Sequence, residues 1–124
     1  MDCISIQNSL ICTIHVNTDF VEDLTLFHEW REKTDEDGLR LKIGRWQVPG
    51  NPIAVLVDFS PFYAQKNEVY GRLWEYYRVD SLHAYGDYDE ASMFSLAAAK
   101  IVESFYRFYL GAHMQVVYHC NEWM

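Results

Sequence analysis

The stretch Met114-Gln-Val-Val-Tyr-His-Cys-Asn-Glu-Trp-Met124 runs from apolar residues (Val116, Val117, Tyr118) into a polar cluster (His119, Cys120, Asn121, Glu122) without a turn, and closes on Trp123. A buried strand has this character where its carboxyl end opens into a ligand site, because open α/β sheets bind ligands just beyond their strand ends. The fold class follows: α/β, with this segment as a strand of a partial Rossmann-like sheet. A parallel strand normally feeds a covering helix. The sequence stops here instead, so the expectation is a single partial domain, residues 1–124, belonging to a larger one.

Working back, Gly111 is a natural helix stop, and Ala91, Phe94, Ala98, Ile101, Val102, Phe105 and Phe108 form one apolar stripe. Lys100, Glu103 and Arg107 form a charged stripe with favourable spacing. A helix from about Asp87 to Tyr109 is predicted, with Asp87 and Glu90 as a capping box. Helix, glycine stop and the Val116 strand together make half of a βαβ crossover.

Leu39 to Phe59 predicts a β-hairpin. Leu41 and Ile43 alternate with Arg40, Lys42 and Gly44, and Pro49-Gly-Asn-Pro52 supplies turn chemistry. The return strand Ile53-Ala-Val-Leu-Val-Asp58 is almost wholly apolar and therefore central in its sheet. Ser60-Pro61 reads as a helix cap or a loop. A second helical pattern lies between Gln65 and Tyr77, then a polar, aromatic-rich loop from Val79 to Tyr88. Phe20, Leu24, Phe27 and Trp30 recur at helical spacing and predict a helix over 19–33. Leu10 to Val16 is β-branched and predicts a short strand.

A chain of 124 residues has room for one modest core, burying about two-thirds of its unfolded surface. Eighteen acidic against ten basic residues give a net charge of −8, and the basic residues are scattered. That excludes a nucleic-acid or anionic-membrane surface, which needs clustered Lys and Arg. Three cysteines at unrelated spacings argue against a disulfide framework and for a reducing compartment, the cytoplasm. The apolar runs fall short of a membrane span.

Cys12-x-x-His15 and His119-Cys120 contain zinc-ligand residue types. Adjacent residues on a strand point to opposite faces, so His119 and Cys120 cannot grip one ion, nor act as base and nucleophile. Cys120 is expected buried and inert. Asp87, Asp89 and Glu90 are acidic residues of a first helical turn, where the helix dipole favours them whether or not they do chemistry. Of the aromatic residues between Tyr63 and Tyr88, those in the loop, Tyr85 and Tyr88, are the ones expected to be free for a ligand. There is no glycine-rich phosphate loop.

Three stretches carry a resemblance. Ile43-Gly-Arg-Trp46 followed by Pro49-Gly-Asn-Pro-Ile-Ala-Val-Leu-Val-Asp58 resembles the hairpin of the animal and fungal type of glycogen synthase, family-3 glycosyltransferases that also have bacterial members. Gly71-Arg-Leu-Trp74 is similar to the motif that follows it there, and His119-Cys-Asn-Glu-Trp123 to the family's H-F-H-E-W strand end. Order and spacing agree from about Asp19 to Met124.

The resemblance implies two Rossmann-like domains around a cleft, with this chain an inner piece of the N-terminal one. It implies retaining transfer of glucose from UDP-glucose to an α-1,4-glucan, with no metal and no cofactor. It makes His119, Asn121 and Glu122 line the sugar side of the cleft, and it aligns Glu90 with an acidic position on the acceptor side. It assigns no catalytic residue to this chain alone. The sequence also departs from the pattern. The family's nucleotide-proximal K-x-G-G-I loop is absent, residues 1–16 have no match, and Asn121 replaces a histidine near the donor sugar. Asparagine hydrogen-bonds a hydroxyl but carries neither a proton nor a positive charge. The expectation is therefore a chain inactive by itself, with self-association through unpaired sheet edges. The alternative is a non-catalytic acidic module that binds glucan or regulates.

Overall fold

The computed structural model describes residues 2–5, 19–111 and 115–120. In chain order the elements are β1 (Asp2–Ser5), β2 (Phe20–Glu22), α1 (His28–Glu36), β3 (Arg40–Trp46), β4 (Ile53–Asp58), a 3₁₀ helix (Ser60–Gln65), α2 (Lys66–Tyr77) and α3 (Tyr88–Phe105), which runs on into a π turn, Tyr106–Leu110. The sheet order is β1-β4-β3-β2 and every pairing is antiparallel. The class is α/β, a small antiparallel sheet with helices on one face, compatible with part of a Rossmann-like domain.

The predicted hairpin is the centre of the fold. Ile43 faces Val55 and Leu41 faces Val57, and these side chains meet the helices. With period two, the intervening residues turn the other way: Ala54 and Trp46 form a second small cluster with Phe20 and Leu56. Gly50 and Asn51 both take positive φ (92° and 42°) to reverse the chain, which glycine and asparagine tolerate best. β4, with neighbours on both sides, is the central strand its composition predicted.

The main core is the layer between this sheet and the helices. Trp30, Ile43, Val55, Val57, Tyr70, Met93, Ala97 and Ile101 are all buried there. Burying such side chains contributes on the order of 1.5–3 kcal/mol each before entropy is set against it. Trp30, fully buried, donates its indole N–H to Ser104 Oγ at 3.0 Å, which ties α1 to α3 and leaves its one polar atom satisfied. The α3 stripe centres on Met93, Ala97 and Ile101, about one residue round from the predicted one, and Phe108 lies outside it at the surface.

The helix predicted over 19–33 does not form as one element. Phe20–Glu22 pair with β3, and α1 begins only at His28. Asp23 breaks the periodicity: its carboxylate accepts from both Thr25 N (2.9 Å) and Thr25 Oγ1 (2.6 Å), a local turn that competes with the helix. Phe27 then takes a left-handed conformation (φ 49°) at the helix entrance, with its ring against Phe105 and Tyr109. Asp58 makes the corresponding turn at the end of β4, accepting from Ser60 N and Oγ, and the 3₁₀ helix then begins at Ser60 with Pro61 in its first turn and no side-chain cap.

The closing strand is the larger correction. Residues 115–120 form no strand; Val117 is 91% exposed and Tyr118 and Cys120 are exposed as well. An apolar segment becomes a buried strand only with a ladder partner. Both flanks of β4 and both flanks of β3 are already taken, and 115–120 pairs with no described strand, so the half crossover is not seen. The strand predicted over Leu10–Val16 lies outside the described residues. No helix among the described residues is long and apolar enough to cross a membrane.

Candidate functional site

The densest polar cluster joins α2 to the start of α3. Lys66 and Tyr70 sit four residues apart, one turn along α2, and so share a face. Both reach Asp89, the second residue of α3: Lys66 Nζ lies 3.1 Å from Asp89 Oδ2, and Tyr70 donates its hydroxyl to Oδ1 at 2.7 Å. The Tyr70 hydrogen bond first, and then Lys66, hold the Asp89 carboxyl below the usual carboxylate range. Burial, reinforced by the carboxylate, pushes the Tyr70 phenol up to about 12. Tyr88 stands edge-on to Tyr70 (5.9 Å between centroids), and its hydroxyl shares a 2.8 Å hydrogen bond with the buried Ser81.

These contacts fix both the first turn of α3 and the base of the 78–87 loop. Asp87 precedes α3 but its side chain caps no N–H, so the predicted capping box is absent; only its main-chain carbonyl takes part, accepting from Ala91 N at 3.1 Å. The acidic residue that matters to the packing is Asp89, which the tertiary partners Lys66 and Tyr70 have drawn inward. Glu90, next in the chain, is left exposed beside it. Asp89 therefore has both oxygens engaged, whereas Glu90 presents a carboxylate to solvent at a fixed helix end. Such a group accepts hydrogen bonds from the hydroxyls of a bound sugar.

Of the residues predicted for the site, His119 and Glu90 lie among the described residues. His119 lies exposed in the irregular 115–120 segment. Asn121 and Glu122 lie outside the described residues, as do Cys12 and His15. A cavity of about 220 Å³, lined by Asp37, Leu39, Pro61, Phe62, Gln65 and Lys100, contains neither His119 nor Glu90, the candidates among the described residues. Among the described residues no three His, Cys, Asp or Glu side chains gather as a metal site would require. Sequence reasoning passed over the Lys66–Tyr70–Asp89 cluster; its one trace was the four-residue spacing of Lys66 and Tyr70, which does not name a partner 19 residues away.

The hairpin holds the Gly44-Arg45-Trp46 stretch in place through close packing. Gly44 packs against β2 so closely that a Cβ there would overlap the Val21 carbonyl oxygen and lie 2.8 Å from Glu22 Cα. Arg45 donates to the Asn51 carbonyl at 3.1 Å and braces the hairpin loop, and Trp46 is buried with Ala54 on the second sheet face. Each residue of Gly44-Arg45-Trp46 thus has its own structural task. The sequence profile of the glycogen synthase family matches residues 13–124, which include this hairpin, α2, α3 and the closing segment. Neither a curated protein nor a solved structure gave a significant match.

Proposed function

The chain belongs to the glycogen synthase family, and we propose that it supplies the sugar-binding side of a retaining glucosyltransferase of the animal and fungal type. The intact enzyme transfers glucose from UDP-glucose to the non-reducing end of an α-1,4-glucan. This chain is an inner part of its N-terminal domain, and it is inactive alone. His119, Asn121 and Glu122 serve the donor glucose, and Glu90 the acceptor. The protein works in the cytoplasm.

The observation that carries this reading is the family match over 13–124, within which the Gly44-Arg45-Trp46 hairpin folds as a unit. The exposed Glu90 on an anchored helix end supports the acceptor assignment. Asn121 replaces an ionisable group with a neutral one, so donor binding there rests on hydrogen bonds to hydroxyls.

The test uses the chain joined to the second domain of a family member. Glu90→Gln raises KM for maltooligosaccharide acceptors with little change toward UDP-glucose, and Asn121→His raises kcat. Identical kinetics in both variants would remove these residues from the site. β2 is an edge strand with Val21 exposed, and self-association through it belongs to the same proposal. Light scattering at micromolar concentration showing a clean monomer would contradict that part.

A further inference from the structure

α3 starts without a side-chain cap: Asp87 offers no oxygen to its first turn, whose N–H groups have no acceptor within the helix. Such an end frays unless something else holds it. Here the hold comes from outside the helix. Tyr70, 1% exposed, donates to Asp89 Oδ1 at 2.7 Å, and Lys66 Nζ lies 3.1 Å from Oδ2. Ser92, one turn on from Asp89, bonds the same phenol. On the other side of Asp89, Tyr88 sets its ring edge-on to Tyr70 and shares a 2.8 Å hydrogen bond with the buried Ser81. The turn that carries Glu90 is thus gripped at Tyr88, Asp89 and Ser92, while Glu90 itself stays exposed.

A carboxylate on a frayed turn has to be ordered each time a ligand binds, and that ordering is subtracted from the affinity. A carboxylate on a clamped turn is ordered beforehand. Tyr70 is too deeply buried to touch a ligand, and Lys66 is engaged with Asp89, so neither acts by direct contact. From these observations we infer that Tyr70 and Lys66 are positioning residues: acting through Asp89, they stand in for the missing cap and fix where Glu90 meets the acceptor. This rests on the reading of Glu90 as an acceptor residue, and it adds two residues of a different helix that set the geometry of that site.

Hydrogen exchange on the 124-residue chain tests the hold on the helix end. The Ala91 N–H, which donates to the Asp87 carbonyl at 3.1 Å, exchanges about fivefold faster in Tyr70→Phe and in Lys66→Met. Lys66→Arg restores the slow rate, and the Arg31 N–H, bonded to the Phe27 carbonyl in α1, is unaffected throughout. Kinetics of the chain joined to the second domain test the consequence. Tyr70→Phe raises the acceptor KM about fivefold and leaves the KM for UDP-glucose unchanged. In a Glu90→Gln background the same substitution adds nothing, because its effect passes through Glu90. A clamp that served stability alone would lower Tm without producing this split. Unchanged Ala91 exchange in both Tyr70→Phe and Lys66→Met would overturn the inference, and so would a Tyr70→Phe penalty that adds in full to that of Glu90→Gln. An acceptor KM indifferent to Glu90→Gln is a different failure: it removes Glu90 from the site, and with it the purpose assigned to the clamp, whereas Ala91 exchange still shows whether the clamp holds the helix end.

Discussion

Tyr70 and Asp89 share a 2.7 Å hydrogen bond between α2 and the first turn of α3. It is the contact that turns Asp89 inward and leaves Glu90 facing water. Removing the hydroxyl in Tyr70→Phe leaves Asp89 with Lys66 alone and is expected to cost about 1 kcal/mol, a fall of a few degrees in Tm.

The same bond has an alkaline signature. Burial and the Asp89 carboxylate raise the Tyr70 phenol in the fold to about 12, against 10.0 ordinarily. A folded pKa raised above the unfolded one gives stability that is complete below pH 10 and lost as pH rises through 12. Spectrophotometric titration of the nine tyrosines is expected to show one phenol ionising last, near 12, together with unfolding. Tyr70→Phe removes that last step; its persistence would place the late phenol elsewhere.

Acid acts through a different set. Hydrogen bonds from Ser60 lower the Asp58 carboxyl, those from Thr25 lower Asp23, the His83 side chain lowers Asp80, and Tyr70 lowers Asp89. Depressed folded values contribute stability that is present above the unfolded carboxylate range and lost as pH falls through the folded values. Tm is expected to hold from neutrality to about pH 5 and to drop below about pH 4. Asp58→Asn should blunt the drop; an unchanged acid limb would exclude Asp58 as a contributor.

Gly44→Ala tests the hairpin. The new methyl would collide with main-chain atoms of Val21 and Glu22, which have no rotamer by which to yield. β2 must lift away, at a cost of about 3 kcal/mol. Hydrogen exchange at Asp23 and Gln47, whose N–H groups donate to the Ile43 and Asp19 carbonyls across this pairing, should accelerate in step. Native-like stability in this variant would show that β2 is dispensable.

How much of this was legible depended on whether the signal was local. The hairpin could be read because alternation, a Pro-Gly-Asn-Pro turn and an apolar return strand all agree over twenty contiguous residues. α3 could be read because eighteen residues of one period outweigh a single misjudged cap. The segment from Phe20 to Trp30 misled because its spacing suits a helix, while the Asp23–Thr25 turn that interrupts it depends on side-chain hydrogen bonds rather than hydrophobicity. Val116–Tyr118 misled because composition says what a strand is made of, but not whether another strand is there to receive it. Asp89 was hidden beside Glu90 because two adjacent acids in a helical turn look alike until Lys66 and Tyr70 select one.

The central claim, that this chain holds the sugars but completes no reaction without a second domain, is tested most directly by transfer of labelled glucose from UDP-glucose to maltoheptaose. The account predicts no incorporation by the 124-residue chain alone, and incorporation once it is joined to the second domain of a family member. Transfer by the chain alone would contradict it.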